Sequence, residues 1–272
     1  MPSFSLAHLT ASELAPPALI DAAAACGYEH VGLRLMPAVH GGWAYPLTDD
    51  PAKLKETLAR MDATGVTVAD IEIAALRQET DIASFQRFFE AGARIGAKHI
   101  LVAAYDPDLA RFADRYAAFC EAARPFGLTA DLEAMPWTSV SNLRDAMRIV
   151  GDARQPNAGL LVDALHFDRS RSSISDIGKI PKDELHYWQI CDGPAERPAT
   201  TEEMMYAARE ERLFPGEGGI DLVSLVRAMP SDITVSIETP TVELAKTVDA
   251  TTRARRALDG ARRVIAAARK AA

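Results

Sequence analysis

The stretch KHILVAAYDPDLARFADRYAAFCEAARPFGLTADLEA, residues 98–134, decides the fold. It opens on an apolar run, KHILVAA (98–104), passes through a helical pattern, and closes on a second apolar run, LTADLEA (128–134). A strand, a helix and a strand in that order join two parallel strands through a right-handed crossover. The plan repeats in both directions. Further strand-like runs are SFSLAHL (3–9), HVGLRL (30–35), VTVADIEIA (66–74), GLLVDAL (159–165), LHYWQIC (185–191) and ITVSIET (233–239), which brings the number to eight. Helical patterns lie between them. APPALIDAAAACG sets prolines in a first turn and ends at Gly27, a C-cap. DPAKLKETLARMDATG has Asp50 as N-cap before Pro51 and stops at Gly65. ASFQRFFEAGARIGA and SVSNLRDAMRIVG follow the same plan, and VELAKTVDATTRARRALDGARRVIAAARKAA reads as one long closing helix with a basic end. Eight such units predict an α/β chain folded as a single (β/α)8 TIM barrel over residues 1–272. An open doubly wound sheet is the runner-up, weakened by the lack of a GxGxxG after the first strand. The longest irregular stretch, 192–219, reads as a functional loop.

Composition narrows the function. Hydrophobic residues make up 48% of the chain and charged residues 25%, as in ordinary soluble domains. The net charge of −8 and the lack of a long basic run argue against a nucleic-acid partner. No apolar run approaches the roughly 18 residues of a membrane span, and MPSFSLAHLT lacks the pattern of a signal peptide, so no membrane partner is expected. Cys26, Cys120 and Cys191 form no CxxC pair. Their sparse, odd count points to a reducing, cytoplasmic setting and argues against a structural zinc.

Four of the late strand-like runs end in an oxygen-bearing side chain just before a loop: Glu133 in LTADLEAMPW, Asp163 in GLLVDALHF, Gln189 in LHYWQICDGP and Glu238 in ITVSIETP. A parallel barrel sets such strand ends on one rim, where four oxygen ligands would hold one hard divalent cation: Mn²⁺, Mg²⁺ or Co²⁺. Gln189 stands in an otherwise apolar strand, where an unpaired buried amide costs about 1–3 kcal/mol. His166 follows Asp163 on what reads as a short loop and is a candidate acid, base or substrate ligand. Asp192 could orient a ligand from behind. Arg212 opens RLFPGEGGI and, with Arg77 after the third strand, could clamp a substrate carboxylate or phosphate. Trp43 and Trp137 read either as pocket walls or as core packing, and Cys191 as buried packing.

With these residues in place, the chain resembles the xylose isomerase-like TIM barrels of the sugar phosphate isomerase/epimerase superfamily. The resemblance implies one divalent cation on Glu133, Asp163, Gln189 and Glu238. Ketose 3-epimerases usually carry histidine in the third place. The glutamine of WQICD is similar to 3-dehydroshikimate dehydratases, hydroxypyruvate isomerases and inosose dehydratases. LEAMPW, VDALHF, WQICDGP and RLFPGEGGID resemble the dehydratase branch, which makes Arg212 a matched position; the loop after the third strand matches only at Arg77, in the place of an arginine that helps to hold the substrate carboxylate. Gly32 in VGLRL departs from it, because many members have glutamate there, and the 193–211 loop departs too.

The resemblance implies a lyase that removes a proton α to a carbonyl and expels water from a cyclic or sugar-like keto acid, with His166 as base or acid. The alternative is an isomerase or epimerase, with Glu133 and Glu238 moving protons on opposite faces. A multi-zinc abasic-site endonuclease is disfavoured by the six histidines and the acidic charge. A degenerate, non-catalytic barrel is disfavoured by the full ligand set. Expected partners are a small-molecule substrate and, as barrels of this type often pair, a second copy of the chain.

Overall fold

The computed structural model describes residues 2–39, 41–45 and 47–270. Eight parallel strands close into a barrel in sequence order: β1 (Phe4–Leu6), β2 (His30–Arg34), β3 (Thr67–Leu76), β4 (His99–Ala104), β5 (Thr129–Glu133), β6 (Ala158–Asp163), β7 (Tyr187–Ile190) and β8 (Thr234–Ile237). Each expected run overlaps one of them, with β3 running two residues past its run and β6 starting one residue before. β8 pairs back onto β1 through Ser236 and Ser5, so no strand edge is left open.

Local chemistry sets the helix boundaries. The helix Pro16–Cys26 starts on two prolines, whose missing N–H groups would be unbonded there in any case, and ends where Gly27 turns left-handed at φ 86°. Asp50 accepts the N–H of Lys53 at 2.9 Å, and so caps the helix Pro51–Thr64. Between the barrel and its helical shell lies the larger apolar core, in which the Phe119 ring packs edge-on against Phe85 and Phe89 at 5.0 and 5.2 Å. A smaller cluster of Ile73, Leu101, Ala103, Met135, Leu161 and Tyr187 fills the barrel interior.

Three expectations need correction. The closing segment is two helices, Val242–Ala245 and Ala250–Lys270, because Asp249 turns its carboxylate onto the N–H of Thr252 at 2.9 Å and starts a new helix. Ala271 and Ala272, expected in the same helix, lie outside the described residues. The stretch 192–219 holds the helix Thr201–Arg209, started by a capping box between Thr200 and Glu203. His166 lies on the helix Ala164–Arg169 rather than on a loop.

Candidate metal centre

The register of the strands gathers the four expected ligands. Asp163 on β6 pairs with Gln189 on β7, and Gln189 with Ser236 on β8. Glu238 lies two residues beyond Ser236, and Glu133 ends β5 beside Leu161, two residues before Asp163. Side chains two apart on a strand share a face, so all four turn into the barrel mouth. None of them is more than 4% exposed. Asp163 also caps the next helix by accepting the N–H of His166 at 2.9 Å. That places the His166 ring beside the carboxylates, with Nε2 3.7 Å from Glu133 Oε1 and Nδ1 4.0 Å from Asp163 Oδ1. Trp137 meets the ring edge-on, with centroids 5.0 Å apart.

Arg212 enters the same cluster from the other side. It is 3% exposed; its guanidinium donates to Asp163 Oδ2 at 2.7 Å and to the Ala208 carbonyl at 2.9 Å, and forms an ion pair with Glu238 Oε2 at 2.8 Å. These contacts hold two of the four rim side chains in place. Arg77 is not brought to the site. It donates to the Ala38 and Ala75 carbonyls and lies over the Tyr105 ring at 4.8 Å, so it ties the loop after β2 to the end of β3. Asp192 accepts backbone N–H groups of Gly216, Gly218 and Ile220 at 3.0–3.1 Å, which organises the glycine-rich turn after Arg212 rather than a ligand. Cys191 is fully buried and receives a bond from Arg212 at 3.3 Å; burial pushes its thiol up to about 12.

A cavity of about 240 Å³ opens above the cluster, lined by Glu133, His166, Arg212 and Glu238, with Trp43, Tyr105 and Trp137 among its walls. It is also lined by Arg34, a site residue missed in the sequence. Arg34 ends β2 and donates through Nε and Nη2 to Glu72 Oε2 at 3.0 and 2.5 Å, beneath Trp43 at 4.5 Å. The signal was there: Arg34 ends its apolar run just as the four ligands end theirs. A larger groove of about 310 Å³ lies outside the barrel between the helices Leu222–Ala228 and Ala250–Lys270 and contains none of these groups.

The electrostatics fit a dication. Burial, then the carboxylates of Asp163 and Glu238, push Glu133 well above the usual carboxylate range. Burial also raises Glu238 to about 7 against the pull of Arg212. Asp163 is buried as well, but Arg212 and His166 hold it below its ordinary value. Burial lowers His166 to about 4, so its imidazole is neutral at pH 7. Glu133 Oε1 and both amide atoms of Gln189 are buried with no hydrogen-bond partner among the described residues, as is the hydroxyl of the neighbouring Ser236. Buried polar atoms are rarely left unpaired. Ionised, the three carboxylates and one guanidinium carry a formal charge of −2, which one divalent cation balances. Glu133, Asp163 and Glu238, with the Gln189 amide oxygen, would hold that cation.

Comparison with known proteins agrees with the fold. The profile of the family described as "Xylose isomerase-like TIM barrel" matches residues 20–266. The chain is 29% identical over 118 residues to a 3-dehydroshikimate dehydratase of Pseudomonas aeruginosa, a match covering 43% of this chain and 18% of that protein. It is 29% identical over 124 residues to an inosose isomerase of Bacillus subtilis, covering 43% of this chain and 41% of the relative. The matched segments thus span less than half of each relative. Among solved structures, the IOLI protein with a bound zinc atom superposes with a TM-score of 0.80 at 19% identity, over 97% of this chain and 98% of that one. The probable 3-DHS dehydratase AsbF of Bacillus anthracis superposes with a TM-score of 0.74 at 13% identity, over 94% and 97% of the two chains. With a closed eight-stranded barrel and a family match across nearly its whole length, the chain belongs to the xylose isomerase-like TIM barrel family.

Proposed function

We propose that this protein is a divalent-cation-dependent enzyme that removes a proton α to the carbonyl of a small hydroxylated keto compound and then expels water. Its substrate is a cyclic or sugar-like keto acid of the 3-dehydroshikimate kind. The observation that carries the reading is the His166 ring, buried in the wall of the carboxylate cluster with Nε2 3.7 Å from Glu133 and facing the same cavity. When bound, the cation would draw electron density from the substrate carbonyl and so acidify the neighbouring C–H bond. His166, low enough to be unprotonated at neutral pH, accepts that proton at Nε2. The same imidazolium then lies where it can return the proton to the departing hydroxyl. Arg212 fixes the carboxylates of Asp163 and Glu238, so they need not reorganise as charge moves. Trp43, Tyr105 and Trp137 exclude water and give a ring-shaped substrate flat surfaces to lie against. Arg34 spends two donors on a single Glu72 oxygen and, among the described residues, Nη1 has no partner and is left for a substrate oxygen. The dehydratase and inosose isomerase relatives support a substrate of this shape.

A second reading is isomerisation or epimerisation. It is favoured by Glu133 and Glu238, both raised and both lining the cavity from strand ends three places apart around the barrel. A D-allulose 3-epimerase is among the structures sharing the fold. Mass spectrometry of a substrate panel in D₂O with Mn²⁺, against a chelator-treated control, separates the two. The panel holds 3-dehydroshikimate, inosose, hydroxypyruvate and several ketoses. Chelator-sensitive loss of water from one compound is the expected result. Gain of one deuteron without loss of water would assign the second reading in its place.

A further inference from the structure

At the opposite end of the barrel from the cavity, a second group of ligating side chains converges. His99 opens β4, Asp131 lies inside β5, and His186 immediately precedes β7. Asp131 is fully buried, while the two imidazole side chains are 18% and 19% exposed, so the group faces solvent at the N-terminal end of the strands. His186 Nδ1 lies 2.5 Å from Asp131 Oδ1, and His99 Nδ1 lies 3.7 Å from Asp131 Oδ2. One ligating atom from each residue falls within 4.8 Å of the other two.

We propose that His99, Asp131 and His186 form a second cation site of the zinc type, which staples β4, β5 and β7 together. Two imidazole nitrogens and one carboxylate oxygen suit Zn²⁺ or Co²⁺ and contrast with the all-oxygen set at the other end. A tetrahedral ion about 2.1 Å from each donor needs the donors roughly 3.4 Å apart; the 3.7 Å between His99 and Asp131 is near that, and the 2.5 Å between His186 and Asp131 would open by about 0.9 Å as the ion enters. The two rings lie 5.3 Å apart between centroids and 14° from parallel, which two ligands of one ion can share with small rotations. The fourth position opens to water. The surroundings are built for the cluster. Asp131 and His186 meet across β6 at Gly159, where an added Cβ would stand 2.6 Å from His186 Nδ1, so only glycine lets them meet. Thr129 donates to Asp131 Oδ2 at 2.6 Å and sits 2.8 Å from His99 Nδ1, which holds carboxylate and ring toward each other. His30 and His99 each take a threonine on the following strand, but only His186 reaches across a strand to a carboxylate. No cysteine takes part, which is why cysteine spacing gave no sign of the site. An ion bound to the native strands and not to the unfolded chain would stabilise the barrel from the end away from the chemistry.

The test titrates the chelator-treated full chain with Zn²⁺ by calorimetry and with Co²⁺ by visible absorption, beside a His99→Gln/His186→Asn double variant. The difference between the two proteins, not the total, reads this site, so the result does not depend on what the cavity end binds. The wild type is expected to take up one more Zn²⁺ per chain than the variant and to show a cobalt d–d band that the variant lacks. A readout that needs no variant guards against a folding defect. Saturating Zn²⁺ should slow diethyl pyrocarbonate labelling of His99 and His186 about tenfold, followed by peptide mass spectrometry, while Mg²⁺ should not. Equal uptake by the two proteins, or equal labelling with and without zinc, would overturn the proposal and leave Asp131–His186 as a plain ion pair between β5 and β7.

Discussion

Replacing Arg212 with methionine separates the two sources of positive charge at the cavity end. The guanidinium is buried and serves two carboxylates at once, at 2.7 Å to Asp163 and 2.8 Å to Glu238. Taking one partner from a buried ion pair costs about 3–5 kcal/mol, mostly as the penalty of an uncompensated buried charge. For a chain of this size each kcal/mol moves the melting temperature by roughly 2–4 °C, so the ion-free variant should melt about 10 °C below wild type. A divalent cation changes the result. Without Arg212 the carboxylates, once ionised, carry a formal charge of −3, and a dication then finds a stronger field. Excess Mn²⁺ should therefore raise the melting temperature of Arg212→Met more than that of wild type and recover part of the deficit. The assay is paired thermal melts, chelator-treated and Mn²⁺-saturated, for both proteins. A penalty below about 1 kcal/mol without the ion, or the same penalty with and without it, would refute the shared-carboxylate reasoning.

Other predictions follow from the same geometry. Glu133→Ala and Glu238→Ala should each abolish Mn²⁺-dependent turnover while far-UV circular dichroism stays unchanged; full activity in either variant would count against the ligand assignment. Gln189→His should keep Mn²⁺ affinity far better than Gln189→Leu, because imidazole can still ligate; equal affinities by calorimetry would contradict a ligand role for this buried, unpaired amide. His8 is held neutral, lowered to about 4 chiefly by burial, with Nδ1 accepting the Arg34 N–H at 2.9 Å and Nε2 facing the Leu14 carbonyl at 2.9 Å. Because the folded value lies below the unfolded one, its contribution is whole above about pH 6.5 and is lost as the pH falls toward 4, to a total of about 3 kcal/mol. Urea midpoints followed from pH 7 to pH 4 should fall less steeply for His8→Gln than for wild type. Phe119→Ala should cost about 3–5 kcal/mol, since the ring is fully buried among other phenylalanines; a loss under 1 kcal/mol in urea would show that the outer core collapses around the gap.

Much of the molecule was legible in the sequence, for a local reason. Eight apolar runs separated by capped helical patterns are short-range signals, and Gly27, Asp50 and Gly65 act where their chemistry suggested. The four rim residues, which the structure brings together, stood out because each interrupts an apolar strand with an oxygen. What escaped depends on closure of the barrel. Arg212 reaches Asp163 and Glu238 across 49 and 26 residues of chain, so nothing near Arg212 showed that its donors were already spoken for. Arg34 meets Glu72 on the neighbouring strand, and the pair exists only once β2 and β3 are in register. Arg77 followed the pattern of an anion clamp, yet the Ala38 carbonyl takes one of its donors. The helix Thr201–Arg209 was an oversight of a different kind, since Thr200 and Glu203 spell out a capping box in the sequence itself.

The most direct test of the central claim is a calorimetric titration of Mn²⁺ into the chelator-treated chain, wild type beside Glu133→Ala/Glu238→Ala. If Glu133, Asp163, Gln189 and Glu238 hold one hard cation, the wild type should bind one Mn²⁺ per chain that the double variant does not. Equal Mn²⁺ uptake by the two folded proteins would contradict the metal centre and, with it, the proposed chemistry.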